Sequence, residues 1–182
     1  SIDPAMEYEW IALECLRGRD FWVPLSWIES SRTDVKPFYP LTSSGTGAGR
    51  TVSKARLAGA LELVERDTFL CHWWNRMTGS LVNASSLDRN LAGFSGEMQF
   101  VLLPNDTGIP VILCMRRIKL GGRTLGIVLG TAAALDAGSA CLKAAHEAVQ
   151  ATNVFLSVAR DGKRENELSL LDRADEWDAQ VR

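Results

Sequence analysis

Residues 7–17 alternate polar and apolar side chains, which predicts a strand. Gly18-Arg19-Asp20 supplies a turn, and the aromatic-rich run over residues 21–28 predicts a second strand. Together they read as a β-hairpin, with Pro24 placing the second strand at an edge or a bulge. Residues 29–50 gather Ser and Thr with two prolines and three glycines, a loop by composition. From 51 to 78 the period changes. Leu57, Leu61, Val64, Thr68, Cys71 and Trp74 recur at three- and four-residue steps, the apolar stripe of a helix, with Thr51 or Ser53 as its N-cap. Residues 83–97 are small-residue-rich and irregular, with room for a short helix. Three apolar runs follow, Met98–Leu103, Ile109–Ile118 and Arg123–Leu129, and the short turns between them predict an antiparallel meander. A second helix runs from about Ser139 to Ala159, with Leu142, Ala145, Val149, Thr152 and Leu156 on one stripe. The order strands, helix, strands, helix predicts an α+β fold with helices packed on a largely antiparallel sheet.

Composition adds limits to this picture. A length of 182 residues with 46% hydrophobic and 23% charged residues suits one globular domain. Its expected divisions are residues 1–5, before Met6, as a cloning remnant, 6–160 as the core, and 161–182 as a charged tail. No apolar run approaches the roughly 20 residues of a membrane helix, so no membrane partner is expected. The 20 basic and 22 acidic residues leave a net charge of −2, which argues against a nucleic-acid partner held by phosphate neutralisation. Arg116, Arg117, Lys119 and Arg123 form one local basic group, read as solvated strand ends. The four cysteines, 15, 71, 114 and 141, contain no Cys-x-x-Cys pair. They predict buried, reduced thiols and a cytoplasmic protein. The sequons at Asn83 and Asn105 carry little weight without a signal peptide.

The chemistry concentrates on the two long helices. Glu62 and Glu65 share a face of the first, and Arg66 joins it from four residues beyond Glu62. Neighbouring carboxylates repel unless a cation lies between them, and Mg²⁺ prefers carboxylate and phosphate oxygens. Arg66 offers a fork suited to phosphate, or serves simply as counter-ion on a solvated face. On the second helix, Glu147 and Gln150 share a face beside Ala144, Ala145, Ala148 and Ala151, which permit close approach of another backbone or a flat ligand. The loop Ser43-Ser-Gly-Thr-Gly-Ala-Gly49 precedes the first helix and can turn backbone N–H groups toward an anion. It matches neither the Walker A nor the dinucleotide pattern. His72 and His146 lie within predicted helices and suggest no triad, and Trp73-Trp74 is expected in the core.

In combination, that Gly loop, the helix segment Leu61-Glu-Leu-Val-Glu-Arg-Asp67 and His72-Trp-Trp-Asn-Arg76 resemble the central signature of the YcaO family. Gly108-Ile-Pro-Val111, Glu147-Ala-Val-Gln150 and the aromatic hairpin up to Trp27 resemble further family segments in the same order. The resemblance covers most of residues 8–160 and implies a YcaO-like core using ATP and Mg²⁺. It implies activation of a peptide backbone amide by phosphorylation of the carbonyl oxygen, then nucleophilic attack, giving an azoline or thioamide. Glu62, Glu65 and Glu147 would hold Mg²⁺. Arg66, Gln150, Ser43, Ser44 and Gly45 would contact the nucleotide. The partners it implies are a substrate peptide or protein, and a second copy of the chain or a companion protein. Ser44 and Gly47 depart from the loop pattern, and Ala151-Thr152-Asn153 stands where the family carries an Arg. These departures, with the chain read as a partial copy, admit an alternative: a catalytically incomplete scaffold that binds a peptide or partner protein.

Overall fold

The computed structural model describes residues 9–14, 18, 20–25, 28, 43–87, 98–120 and 123–161. The expectations for residues 1–5, for 29–42 of the predicted loop, for 88–97 and for the tail after 161 lie outside them. The chain divides into two compact units, Ser1–Ser43 and Ser44–Arg182.

In the first unit, β1 (Trp10–Glu14) pairs antiparallel with β2 (Asp20–Pro24), as the alternation predicts. Pro24 lacks an N–H and stands at the end of its strand, where none is needed. Just beyond it, Leu25 N–H closes the pair by donating to the Glu9 carbonyl at 2.8 Å.

The second unit has three layers. A four-stranded antiparallel sheet, in the order β3-β4-β5-β6, comprises β3 (Ser80–Val82), β4 (Met98–Leu103), β5 (Val111–Leu120) and β6 (Arg123–Ala133). Strand β3 has no counterpart in the sequence reading, because three residues are too few for an alternation to register. Side chains on successive strand residues point to opposite faces. On one face Ile112, Cys114 and Ala132 pack with Ala144, Ala145 and Ala148 of α3 (Ala137–Asp161). On the other, Val111 and Ala133 pack with Leu61 of α1 (Val52–Asn75). The helices therefore cover opposite faces of the sheet, and the carboxylate-bearing segment of each lies beside β6. A short helix, α2 (Ala84–Leu87), follows β3.

The caps define the helix ends. The Thr51 hydroxyl accepts from Lys54 N–H at 3.3 Å at the start of α1, a contact worth about 1 kcal/mol. Asp136 caps α3 by accepting from Ser139 N–H at 2.8 Å, so the helix starts before the expected Ser139. Those bonds hold the Asp136 carboxyl below the ordinary carboxylate range. Helix α1 ends with Arg76 in the left-handed region at φ 52°, and Met77 N–H donates to the His72 carbonyl at 3.0 Å. That is a Schellman ending without its usual glycine. Arg76→Gly is expected to stabilise the chain by about 0.5–1 kcal/mol. The left-handed cost of a side chain exceeds the extra entropy of an unfolded glycine. A rise in the urea midpoint at unchanged slope would register it.

Three sequence expectations on α1 need correction. Its buried residues are Gly59, Leu61, Glu65, Thr68 and His72, so the core-facing stripe is rotated relative to the one expected. Trp73 and Trp74 are 48% and 77% exposed rather than core residues. Cys71 is exposed as well, whereas Cys114 and Cys141 are buried as expected; Cys15 lies outside the described residues. The reason is geometric. Close packing of the Gly loop and sheet against α1 selects small and hydrogen-bonded side chains, which hydrophobicity alone does not identify. His72 illustrates it: its Nε2 lies 2.7 Å from the Pro104 carbonyl, tying the end of α1 to the β4–β5 turn. Among the described residues, no helix is long and apolar enough to cross a membrane.

Candidate functional site

Strand β6 is the edge of the sheet, paired among the described residues only with β5. Alternate N–H groups of an edge strand point outward. Ala134 N–H turns inward, to the Pro110 carbonyl, so Thr131 and Ala133 present theirs to the open edge. Each meets a carboxylate. Ala133 N–H donates to Glu65 Oε2 at 3.3 Å, and Thr131 N–H donates to Glu147 Oε2 at 3.2 Å. The Thr131 hydroxyl also donates to Glu65 Oε1 at 2.7 Å. Glu65 belongs to α1 and Glu147 to α3, so two helices on opposite faces of the sheet send carboxylates to adjacent groups on one strand.

Close backbone contacts set this geometry. At Gly130 a Cβ would stand 2.2 Å from the Ala144 carbonyl oxygen and 2.5 Å from Ala148 N, so only glycine lets α3 lie this near β6. The loop before α1 uses the same device. A Cβ on Gly47 would be 2.2 Å from the Ala55 oxygen and 2.3 Å from Gly59 N. Residues 55, 59, 62 and 66 form one stripe of α1. The loop seats on the first half of it, and Glu62 and Arg66 occupy the next turns.

Arg66 Nε is 3.9 Å from Glu62 Oε1 and 3.9 Å from Glu65 Oε1. Two carboxylates thus share one guanidinium, and Glu147 adds a third negative charge to the cluster. Burial pushes the Glu65 carboxyl above its ordinary range. The Thr131 hydroxyl opposes the shift, the Glu147 charge adds to it, and Arg66 and Ala133 N–H oppose it.

Glu62, Glu65, Arg66 and Glu147 gather at the β6 edge. Gln150 is exposed on α3, almost one turn beyond Glu147. Ser44 is exposed and Gly45 half-buried at the start of the loop that seats on α1, with Gly45 at φ 84°. Ser43 is exposed in the other unit. Thr131 is the contributor that sequence reading missed, since a lone Thr in an apolar strand announces nothing until both helices are placed around it.

The donor set suits a hard divalent cation. It consists of carboxylate oxygens with unused lone pairs, and its negative charge exceeds what Arg66 offsets. It is not closed around one point: among the described residues, no three His, Cys, Asp or Glu groups are placed to share an ion. Glu147 is exposed and Glu62 only half-buried, so both can turn toward Glu65, which is fixed by Thr131 and Ala133.

Fold and site together define an α+β domain in which carboxylates from two helices converge on one sheet edge. The family description YcaO cyclodehydratase, ATP- and Mg²⁺-binding, matches residues 1–182, and the chain belongs to the YcaO family. The chain is similar to the heterocyclase TruD, with 29% identity and a TM-score of 0.67 over 83% of this chain and 23% of that one. It is also similar to a heterocyclase in complex with substrate and cofactor, with 28% identity and a TM-score of 0.69 over 80% of this chain and 21% of that one. A third similar structure is YcaO from Methanopyrus kandleri bound with AMPPCP and Mg²⁺. There the identity is 25% and the TM-score 0.65, over 89% of this chain and 44% of that one. The chain therefore spans less than half the length of each of these proteins. A search of curated proteins gave no significant match.

Proposed function

We propose that the chain forms part of the nucleotide-handling core of an ATP- and Mg²⁺-dependent enzyme that activates backbone amides of a substrate peptide. The observation that carries this reading is the meeting of Glu65 and Glu147 on the outward N–H groups of β6 beside Arg66. When bound, Mg·ATP supplies a phosphoryl group that turns the amide oxygen into a leaving group, so that a nucleophile can displace it at the amide carbon. The protein's part in such chemistry is positioning and charge neutralisation. Glu65, held by Thr131 and Ala133, would bind the cation together with Glu147 and Glu62. Arg66 presents its guanidinium fork to phosphate oxygens. Gln150, Ser43, Ser44 and Gly45 are assigned to the nucleotide. The nucleophile comes from the substrate or a further reactant, and no residue of this chain is assigned that role.

Titration calorimetry tests the site. Glu147→Gln removes one charge at an exposed position, so the fold should be kept while the affinity for Mg·ATP falls about tenfold or more, equivalent to at least about 1.4 kcal/mol. Equal affinities for the two proteins would remove Glu147 from the site.

A second reading, a scaffold that holds a peptide or partner protein without turnover, is favoured by one observation. Thr152 lies in the segment that replaces the family's Arg. It is buried, donates to the Ala148 carbonyl at 2.7 Å and accepts from Arg116 at 3.4 Å, so the segment serves packing. Steady ATP turnover by a monomer in gel filtration would exclude this reading.

A further inference from the structure

The basic group read from sequence as solvated strand ends borders a cavity of about 380 Å³ at the other end of the β5–β6 hairpin. Ile127, on its wall, precedes Thr131 by four residues, a separation of about 13 Å along the strand. Thr152, also on the wall, follows Glu147 by five residues on α3, about 140° around the helix. The cavity is therefore separate from the carboxylate cluster.

Among the described residues, its lining includes Arg116, Arg117 and Lys119 and no carboxylate. Arg117 and Lys119 are exposed and make no ion pair among the described residues. Arg116 is half-buried, its Nη1 held 3.4 Å from the Thr152 hydroxyl. The hydroxyl is itself anchored on the Ala148 carbonyl, so one of the three cations is pre-positioned. The remaining wall is largely apolar, with Met98, Met115 and Leu156 prominent. Side chains alternate along β5, so Met115, Arg117 and Lys119 share one face with Ile127, while Arg116 shares the other with Met98 and Thr152; the first face pairs two cations with one adaptable thioether.

We propose that this cavity binds an acidic peptide segment, with carboxylates on Arg117 and Lys119 and an apolar side chain against Met115 and Ile127, which share their face of the sheet. Charge complementarity calls for an anionic ligand. The apolar wall calls for one that is not charged throughout. Among the described residues, no aromatic side chain lines the cavity to serve as the stacking platform that single-stranded nucleic acid requires. The site stands apart from the amide-activation reading, since it needs neither nucleotide nor metal.

The test uses the full chain and a short fluorescein-labelled peptide of alternating Glu and Leu, without ATP. Anisotropy should rise on titration, fall back with added salt, and stay flat with a Lys-Leu peptide of equal length. R117E/K119E should weaken binding at least about tenfold. Both positions are exposed, so the double variant should fold, and calorimetry should find its Mg·ATP binding unchanged. Independently, the methyl resonance of Met115 should shift on peptide addition while that of Met77 does not. Unchanged affinity in R117E/K119E, or an unshifted Met115 signal, would overturn the site. Tighter binding of a deoxythymidine oligonucleotide than of the acidic peptide would overturn its ligand. Glu65→Gln should bind the peptide like the wild type, which separates this outcome from failure of the nucleotide site.

Discussion

Gly130→Ala is expected to cost the chain about 3 kcal/mol, at the upper end of what overpacking a core exacts. The added methyl carbon would meet backbone atoms on both sides of the α3 groove, the Ala144 oxygen at 2.2 Å and Ala148 N at 2.5 Å. No side-chain rotation relieves a clash with backbone, so α3 must lift off β6. Its buried small face, Ala140, Cys141, Ala144, Ala145 and Ala148, then loses contact along its length. For a chain of this size the loss corresponds to a fall in Tm of about 6–12 °C. Gly126→Ala on the same strand is the control. A Cβ there meets nothing within 4 Å, so the change should leave stability nearly unaltered. Thermal unfolding of the two variants decides the matter, and a matched Tm would show that α3 yields more easily than its backbone contacts imply. Because Glu147 rides on the same turn of α3, Gly130→Ala should also weaken Mg·ATP at temperatures where the variant is still folded.

The same packing explains what could be read from the chain alone. The hairpin, the three-strand meander and the two long helices follow from local periodicity, which is carried by neighbours in sequence. Alanines 144, 145 and 148 declare a close-packing face because nothing else explains so many small residues on one stripe. Phase is harder. On α1 the exposed Cys71 and Trp74 are more hydrophobic than the buried Glu65 and His72. Those polar residues go inward because partners 32 to 68 residues away, Pro104, Thr131 and Ala133, satisfy them. No local pattern encodes such distant partners. Motif resemblance points to Glu65 and Glu147, but not to the edge N–H groups that hold them or to Thr131 between them. The basic cavity is illegible for a similar reason: its wall combines β4, β5, β6 and the far half of α3.

Glu65→Gln is expected to lower affinity for Mg·ATP by about a hundredfold or more, since it removes the cation ligand that the fold holds still, and roughly 2.7 kcal/mol of binding goes with it. The fold feels the same change with the opposite sign. Burial raises the Glu65 pKa in the folded chain, so stability from this group is fully present below its unfolded value and is lost as pH rises through the folded one. Without metal, the wild type should therefore lose stability as pH climbs from 4.5 toward neutrality at a rate the Glu65→Gln variant does not share. Added Mg·ATP should reverse that trend in the wild type, because the cation competes with the proton for the same oxygens and is bound more tightly as pH rises. The carboxamide introduced by Glu65→Gln would keep one acceptor oxygen but bring an amide donor toward either the Thr131 hydroxyl or Ala133 N–H. The hydroxyl can rotate to accept, whereas the N–H cannot, so the amide should settle with its oxygen toward Ala133 and the fold should survive. Urea titrations of both proteins across this pH range, with and without Mg·ATP, supply the measurement. Parallel pH profiles in the absence of metal would show that Glu65 does not carry the buried charge assigned to it. A Glu65→Gln variant still stabilised by Mg·ATP would place the cation elsewhere on the chain.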